Sequence, residues 1–181
     1  MDIRGTTALK ISTPEVKLRR ADLTDISTIT TIYNQTVRQS EGTLDIALKN
    51  LDQMVSWFHR HGPDYPILVA SYKGVIHGWA SLSPFADKCG YTPTVESSIY
   101  VAPNARGLGI GKKLKLETIR VSQELGYHSI ISRVVASNQA CNTMNTSMGF
   151  ELVGQFKEIG FKFGQYHDMN FYQYICNPKN R

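Results

Sequence analysis

The sequence predicts an α/β fold of the α+β kind, a mixed central β-sheet with helices on both faces, in the element order β-α-α-β-β-β-α-β-α-β-β. Three observations carry this prediction. The 181-residue chain is 41% hydrophobic, enough for one full core and too short for two. Segments with apolar residues at helical spacing alternate with short β-rich runs. A turn with three alternating glycines, Gly107, Gly109 and Gly111, joins one strand directly to a helix. Neither an internal repeat nor a linker divides the chain, so residues 16–176 read as one domain, preceded by a loosely attached arm over 1–15.

Residues 16–20 form the first predicted strand, and Asp22 then caps a helix whose Ile26, Ile29, Tyr33 and Val37 recur at helical spacing. A second helix follows, with Leu48, Leu51, Val55 and Phe58 as its apolar stripe. It is expected to stop at His61-Gly62-Pro63, through a left-handed glycine and a proline that cannot continue the ladder. Residues 66–72 and 75–83 are a hairpin turned by Lys73-Gly74. A loop over 84–93 carries Phe85, Lys88 and Tyr91 and leads to a strand over 94–101. Ile110, Leu114, Val121 and Leu125 mark a helix closed by Gly126. A strand over 128–136, a short helix over 139–148 stopped by Gly149, and a hairpin of residues 150–159 and 166–175 complete the chain.

Composition narrows the function classes. The net charge of +5 favours an anionic ligand, yet the surplus is scattered, which gives nucleic acid little support and suits a soluble surface. No apolar run approaches the roughly 20 residues that cross a bilayer, and residues 1–14 lack the continuous apolar core of a secretory signal. Cys89, Cys141 and Cys176 are an odd number at unrelated spacings without a nearby His pair, so neither a disulfide framework nor a metal site is expected, and a reducing cytoplasm fits best.

The glycine turn carries the strongest chemical signal. Glycines let successive N–H groups converge, and the helix N-terminus adds unpaired donors and partial positive charge, an arrangement suited to a pyrophosphate. Arg106 and Lys112 add charge. A Walker A loop is excluded because Gly111-Lys112 is followed by Lys113 instead of Ser or Thr. A dinucleotide fingerprint fits poorly, since its third glycine would come one residue later and a hairpin precedes the turn in place of a βαβ unit. The remaining match, Arg106-x-x-Gly109-x-Gly111, resembles the acetyl-CoA pyrophosphate loop of the GNAT superfamily.

That resemblance spans residues 16–173 and is closest to the phosphinothricin and methionine sulfoximine acetyltransferase branch. It rests on Ile32-Tyr33-Asn34, Trp57, Tyr65-Pro66, Thr94-Val95-Glu96 leading to Ile99-Tyr100-Val101, Asn138, Gly149-Phe150, and Gly160-x-Lys162-x-Gly164 with Asp168 and Gln173. By resemblance, Ile99, Tyr100 and Val101 would offer backbone groups to the pantetheine arm. Arg106, Gly107, Leu108, Gly109, Ile110, Gly111 and Lys112 would hold the pyrophosphate, and Asn138 would bond the arm further along. Acetyl-CoA would be the cosubstrate, no metal would be needed, and a homodimer is implied. Glu96 would be the general base, because an ammonium cannot attack a thioester until a carboxylate or water removes its proton. Read without the Thr94-Val95-Glu96 context, Glu96 is better taken as an ordinary solvated strand residue; the context favours catalysis. His167 beside Asp168 invites a base reading too, but a hairpin-edge histidine is expected to be surface. Tyr33, Trp57, Trp79 and Phe150 read as core or pocket wall.

Two departures from the family pattern bear on mechanism. Asn145 stands where relatives carry His or Tyr to protonate the leaving thiolate, and an amide can only hydrogen-bond the sulfur. The substrate loop reads Phe85-Ala86-Asp87-Lys88-Cys89-Gly90-Tyr91, so two arginines of the pattern become Ala86 and Lys88 and a two-point anion clamp is replaced by a point charge. With Thr94 and Val95, Phe85, Ala86, Asp87, Lys88 and Tyr91 are the expected acceptor residues. The predicted reaction is direct acetylation of a small amino-acid-like amine. A peptide N-terminus or polyamine acceptor, and an acetyl-CoA-binding sensor with weak catalysis, remain the alternatives.

Overall fold

The structure is a computed structural model that describes residues 15–176, so the expected arm lies outside the described residues except for Glu15. The elements run β1 (Lys17–Arg20), α1 (Ile26–Gln39), α2 (Leu51–Arg60), β2 (Ile67–Tyr72), β3 (Val75–Pro84), β4 (Thr94–Val101), α3 (Ile110–Glu124), β5 (Ser129–Val135), α4 (Gln139–Ser147), β6 (Glu151–Lys162) and β7 (Gln165–Ile175). This is the predicted order. All seven strands join one sheet ordered β1-β2-β3-β4-β5-β7-β6, antiparallel throughout except for the parallel pair β4–β5.

Adjacent residues of β3 show how the helices divide between the two faces. The Trp79 ring meets Tyr33 of α1 and Trp57 of α2, whereas a Cβ on Gly78 would touch Ile110 and Leu114 of α3. Strand side chains alternate between faces, so α1 and α2 cover one and α3 the other. α4 lies beside α3, with Met144 Sδ 3.7 Å from where a Cβ on Gly111 would stand. One apolar cluster joins α1, α2 and the start of α3 to β2 and β3, through Ile29, Met54, Val69, Trp79 and Leu114. A second joins β4, β5 and β7 to the end of α3, through Val95, Ile119, Ile130 and Tyr172, with Phe150 between α4 and β6.

Three sequence expectations are corrected. Leu48 precedes α2, because the Asn50 side chain accepts from Gln53 N–H while Gln53 returns a bond to Asn50 N–H, a capping box that starts the helix at Leu51. Met54, 5% exposed, anchors the helix instead. α2 ends without a left-handed glycine: His61 is extended at φ −87° and ψ 136°, and Pro63 completes the stop. The last hairpin is longer than predicted, its strands reaching Lys162 and Gln165 around Phe163 and Gly164, at φ 53° and 78°. That is the two-residue type I′ pattern, which Lys73 and Gly74 also adopt, at φ 51° and 79°. Asp22, Gly126 and Gly149 act as expected: Asp22 accepts from Thr24 N–H ahead of α1, and the two glycines are left-handed after α3 and α4.

Candidate active site

β4 and β5 pair only at Thr94↔Ser129, Val95↔Ile130 and Glu96↔Ile131. Beyond that rung they part. β4 keeps its bonds to β3 as far as Val101↔Gly78, and β5 keeps its bonds to β7 as far as Val135↔Met169. The sheet therefore opens as a wedge from Glu96 toward Val101, and the β4 backbone along its inner edge has no β5 partner. An extended chain of amides entering this wedge would find the ladder groups that β5 no longer occupies.

The glycine turn sits at the mouth of the wedge. Gly107 and Gly109 are left-handed at φ 80° and 73°, and a Cβ on either would meet nothing within 4 Å, so the backbone faces open space. The first α3 bond runs from Lys113 N–H to the Gly109 carbonyl at 3.0 Å, which leaves the amides of Ile110, Gly111 and Lys112, at the positive end of the helix, as donors without a backbone partner among the described residues. Ile99, Tyr100, Val101, Arg106, Gly107, Gly109, Ile110, Gly111, Lys112 and Asn138 line one cavity of about 580 Å³. Ten of the eleven residues expected to hold the cosubstrate are thus brought together. The exception is Leu108, whose side chain is exposed and outside that lining. Asn138 caps α4 by accepting from Cys141 N–H at 3.2 Å and faces the cavity as well. Ser40, Glu41 and Gly42 from the α1–α2 loop complete the wall, and Ser137 Oγ donates to Glu41 across the rim at 2.5 Å. Open glycine amides, an unpaired helix N-terminus, two cations and an unpaired strand edge fit the diphosphate and amide chain of acetyl-CoA.

A narrower recess of about 70 Å³ continues inward to the apex, lined among others by Ser97, Ser98, Ile99, Lys115, Ser132 and Asn145. Asn145 is 1% exposed, donates from Nδ2 to Ser132 Oγ at 3.3 Å, and leaves its Oδ1 without a partner among the described residues. Lys115, from α3, is also 1% exposed. Its Nζ donates to Ser97 Oγ at 3.2 Å and lies 3.8 Å from the centre of the Phe150 ring. With no carboxylate paired to it among the described residues, burial pushes this ammonium from 10.5 down to about 7, partly offset by the Cys141 thiol. The sequence reading missed Lys115. A signal existed in Gly111, Lys115, Thr118 and Ser122, a small and polar ridge at helical spacing beside the apolar one, whose last three members are all buried.

Glu96 stands on the opposite face of the same apex, since Ser97 bonds Lys115 beneath α3 whereas Tyr100, of Glu96's parity, packs on Tyr33 of α1. It lines neither recess, and Arg133 Nε donates to its Oε1 at 2.6 Å. On that face Tyr33 donates to Asp45 in the α1–α2 loop. Burial lifts the Tyr33 phenol far above its usual value and that of Tyr100 to about 12, so both stay protonated at neutral pH. The loop is clamped by Lys162, 3% exposed, which donates to the Ser40 and Thr43 carbonyls at 2.8 and 2.7 Å. Leu44 also lies where a Cβ on Gly160 would fall, 2.3 Å from its Cδ1. His167, expected at the surface, is 5% exposed, with Nε2 3.0 Å from the Lys162 carbonyl: the longer hairpin folds it inward as a support for that clamp.

The expected acceptor residues are dispersed. Phe85 and Tyr91 pack edge to face at 5.5 Å and are both exposed, as are Ala86, Asp87 and Lys88. Thr94 is half-buried at the start of β4, and Val95 is fully buried in the second core cluster, because strand parity turns it away from the Glu96 face. Among the described residues no group of three or more His, Cys, Asp or Glu is arranged to hold a metal, and no helix is long and apolar enough to cross a membrane.

Known proteins are similar to this chain in sequence and fold. The acetyltransferase (GNAT) family model matches residues 28–150. An L-amino acid N-acyltransferase of Escherichia coli is 32% identical over 87% of this chain and 92% of its own. An L-methionine sulfoximine/L-methionine sulfone acetyltransferase of Salmonella typhimurium is 32% identical over 86% and 92%. The crystal structure of a phosphinothricin acetyltransferase from Sinorhizobium meliloti in complex with acetyl-CoA superposes with a TM-score of 0.85 at 33% identity, covering 88% of each chain.

Proposed function

Since the chain belongs to the GNAT family of acetyltransferases, we propose that it transfers the acetyl group of acetyl-CoA to the α-amine of a small amino acid of the methionine sulfoximine or phosphinothricin type, with Glu96 as general base. The observation that carries this reading is the wedge, in which a diphosphate-binding turn, an unpaired strand edge and a narrow apex lie along one path. Acetyl-CoA supplies an activated acyl group there. The chain's own residues hold the diphosphate at Gly107 to Lys112, direct the arm along Ile99 to Val101 past Asn138, and exclude bulk water at the apex.

The acceptor approaches from the α1–α2 face, where Glu96 lies. An α-amine near pKa 8 costs roughly 1.4 kcal/mol to deprotonate at pH 7 and a lysine-like amine near 10.4 roughly 4.6, so one carboxylate suits the former. Arg133 pins Glu96 Oε1 and so fixes the carboxylate's direction. The α1–α2 loop, held by Lys162 and Leu44, walls this side and favours a small acceptor over a peptide. Lys88, in place of an arginine clamp, attracts an acceptor's anionic group without fixing its orientation.

We propose further that two copies associate through β6. This edge strand exposes Leu152, Val153, Phe156, Ile159 and Phe161, and the adjoining Phe163 adds to the strip, an apolar stretch that a second copy would cover. A reducing cytoplasm suits the exposed free thiol of Cys89.

The test is CoA release from acetyl-CoA across methionine sulfoximine, methionine sulfone, phosphinothricin, the standard amino acids, polyamines and short peptides. Turnover confined to amino-acid acceptors is expected, with kcat falling about 10²- to 10⁴-fold in E96Q while acetyl-CoA affinity holds. Preference for peptides or polyamines would overturn the acceptor assignment, and an unchanged kcat in E96Q would remove the base.

A further inference from the structure

We propose that Lys115 is a catalytic residue, the acid that protonates the CoA thiolate as it leaves, in the place that Asn145 cannot serve. The inference rests on the acetyl-transfer reading above and assigns a role to a side chain that reading does not use.

Three observations lead to it. Lys115 reaches the apex recess from the α3 side, the side of the glycine turn, opposite the face of Glu96, so donor and base stand on opposite faces of the sheet at the apex. Among the described residues its ammonium is buried without a carboxylate, held by Ser97 Oγ and the Phe150 ring. An unpaired buried cation is costly to fold around and is retained where its charge or proton is used. Asn145 in the same recess keeps an unpartnered Oδ1, an acceptor for an S–H or N–H but no source of a proton.

The chemistry balances. The acceptor nitrogen forms a bond to the acetyl carbon, and the carbon–sulfur bond breaks with its electron pair going to sulfur. The Lys115 ammonium gives that sulfur a proton, while the proton leaving the acceptor nitrogen passes to Glu96 and on to solvent. Lys115 is reprotonated from solvent before the next turnover. An ammonium lowered to about 7 is more acidic than a thiol near 8.5, so the transfer runs downhill. Tyr100 on β4, Arg133 on β5 and Cys141 on α4 are the other titratable groups lining this recess, and of these the Cys141 thiol bears on the charge of Lys115.

The test compares wild type, K115M and K115M/N145H, using the acceptor with the highest turnover in the panel above. K115M is expected to lower kcat about 10²-fold with acetyl-CoA affinity retained. The ratio of wild-type to K115M kcat/KM should be largest below pH 7 and shrink about tenfold per pH unit above it, because only the protonated amine donates. N145H should restore at least about tenfold by returning an acid to the apex. A ratio independent of pH, no rescue, or a stoichiometric acetyl group found on Lys115 by mass spectrometry would overturn the proposal. Should Met at 115 unfold the chain, wild type decides alone: an alkaline fall in kcat/KM supports the acid, and a rise to a plateau refutes it. Wild type that binds acetyl-CoA and acetylates no amine would sink the acetyl-transfer reading and this one with it, whereas turnover with an unaltered K115M profile sinks this one only.

Discussion

K115M should make the folded protein more stable, and the gain should depend on pH in one direction. Folding lowers the Lys115 ammonium from 10.5 to about 7, chiefly by burial, which corresponds to about 5 kcal/mol against the folded state as an upper figure. Below pH 7 both states are protonated here and the full cost applies. Between 7 and 10.5 the unfolded chain binds a proton that the folded one does not, so stability rises with pH, and above 10.5 the cost vanishes. Met matches the side chain's length and shape closely, leaves no large cavity and removes the charge. It forfeits the bond to Ser97 Oγ, which still donates to the Ile131 carbonyl, and the contact with the Phe150 ring. After about 1 to 2 kcal/mol for those losses, a net gain of about 3 kcal/mol is expected at pH 6.5. Urea denaturation of both proteins from pH 6 to 10 reads the difference directly. A K115M protein less stable than wild type at pH 6.5, or a difference that does not shrink as pH rises, would refute the account of Lys115 as a buried, unpaired cation. A stabilising substitution that slows catalysis would also explain why so costly a group is kept.

Other consequences can be checked separately. G109A forces a side chain into the left-handed region, at about 1 kcal/mol, and puts its methyl in the open space over the turn; acetyl-CoA Kd by titration calorimetry should rise at least about tenfold, and unchanged affinity would dismiss the diphosphate site. K162M removes two charge-assisted bonds to the α1–α2 loop, so stability should fall by about 3 kcal/mol and amide exchange over residues 40–45 should quicken. The F156E/F161E variant charges the exposed β6 strip and should sediment at the 20.3 kDa chain mass, against twice that for wild type; an unaffected dimer would place the interface elsewhere.

Much of this protein is legible without coordinates because the relevant physics is local. Helical and strand periods show in four to eleven residues, so the element order emerged from sequence alone, as did the left-handed stops at Gly126 and Gly149. The glycine turn is equally local: Gly107 and Gly109 adopt the conformations that only their lack of a side chain makes cheap, and Arg106 and Lys112 stand beside them in the chain. Boundaries failed where a side-chain bond or a turn type decided them, as with Asn50 and Gln53 before α2 and Phe163-Gly164 in the last hairpin.

What the sequence by itself determined was the fold, the family and the glycine turn, each written in short-range pattern. Only the tertiary structure decided that β4 and β5 part at Glu96 and Ile131, that Arg133 holds Glu96, that His167 turns inward, and that Lys115 ends at the apex beside Asn145. These outcomes depend on strand register and on which surfaces close over a side chain. A lysine's burial is set by residues far from it in the chain, and no local pattern reports how much water it will keep.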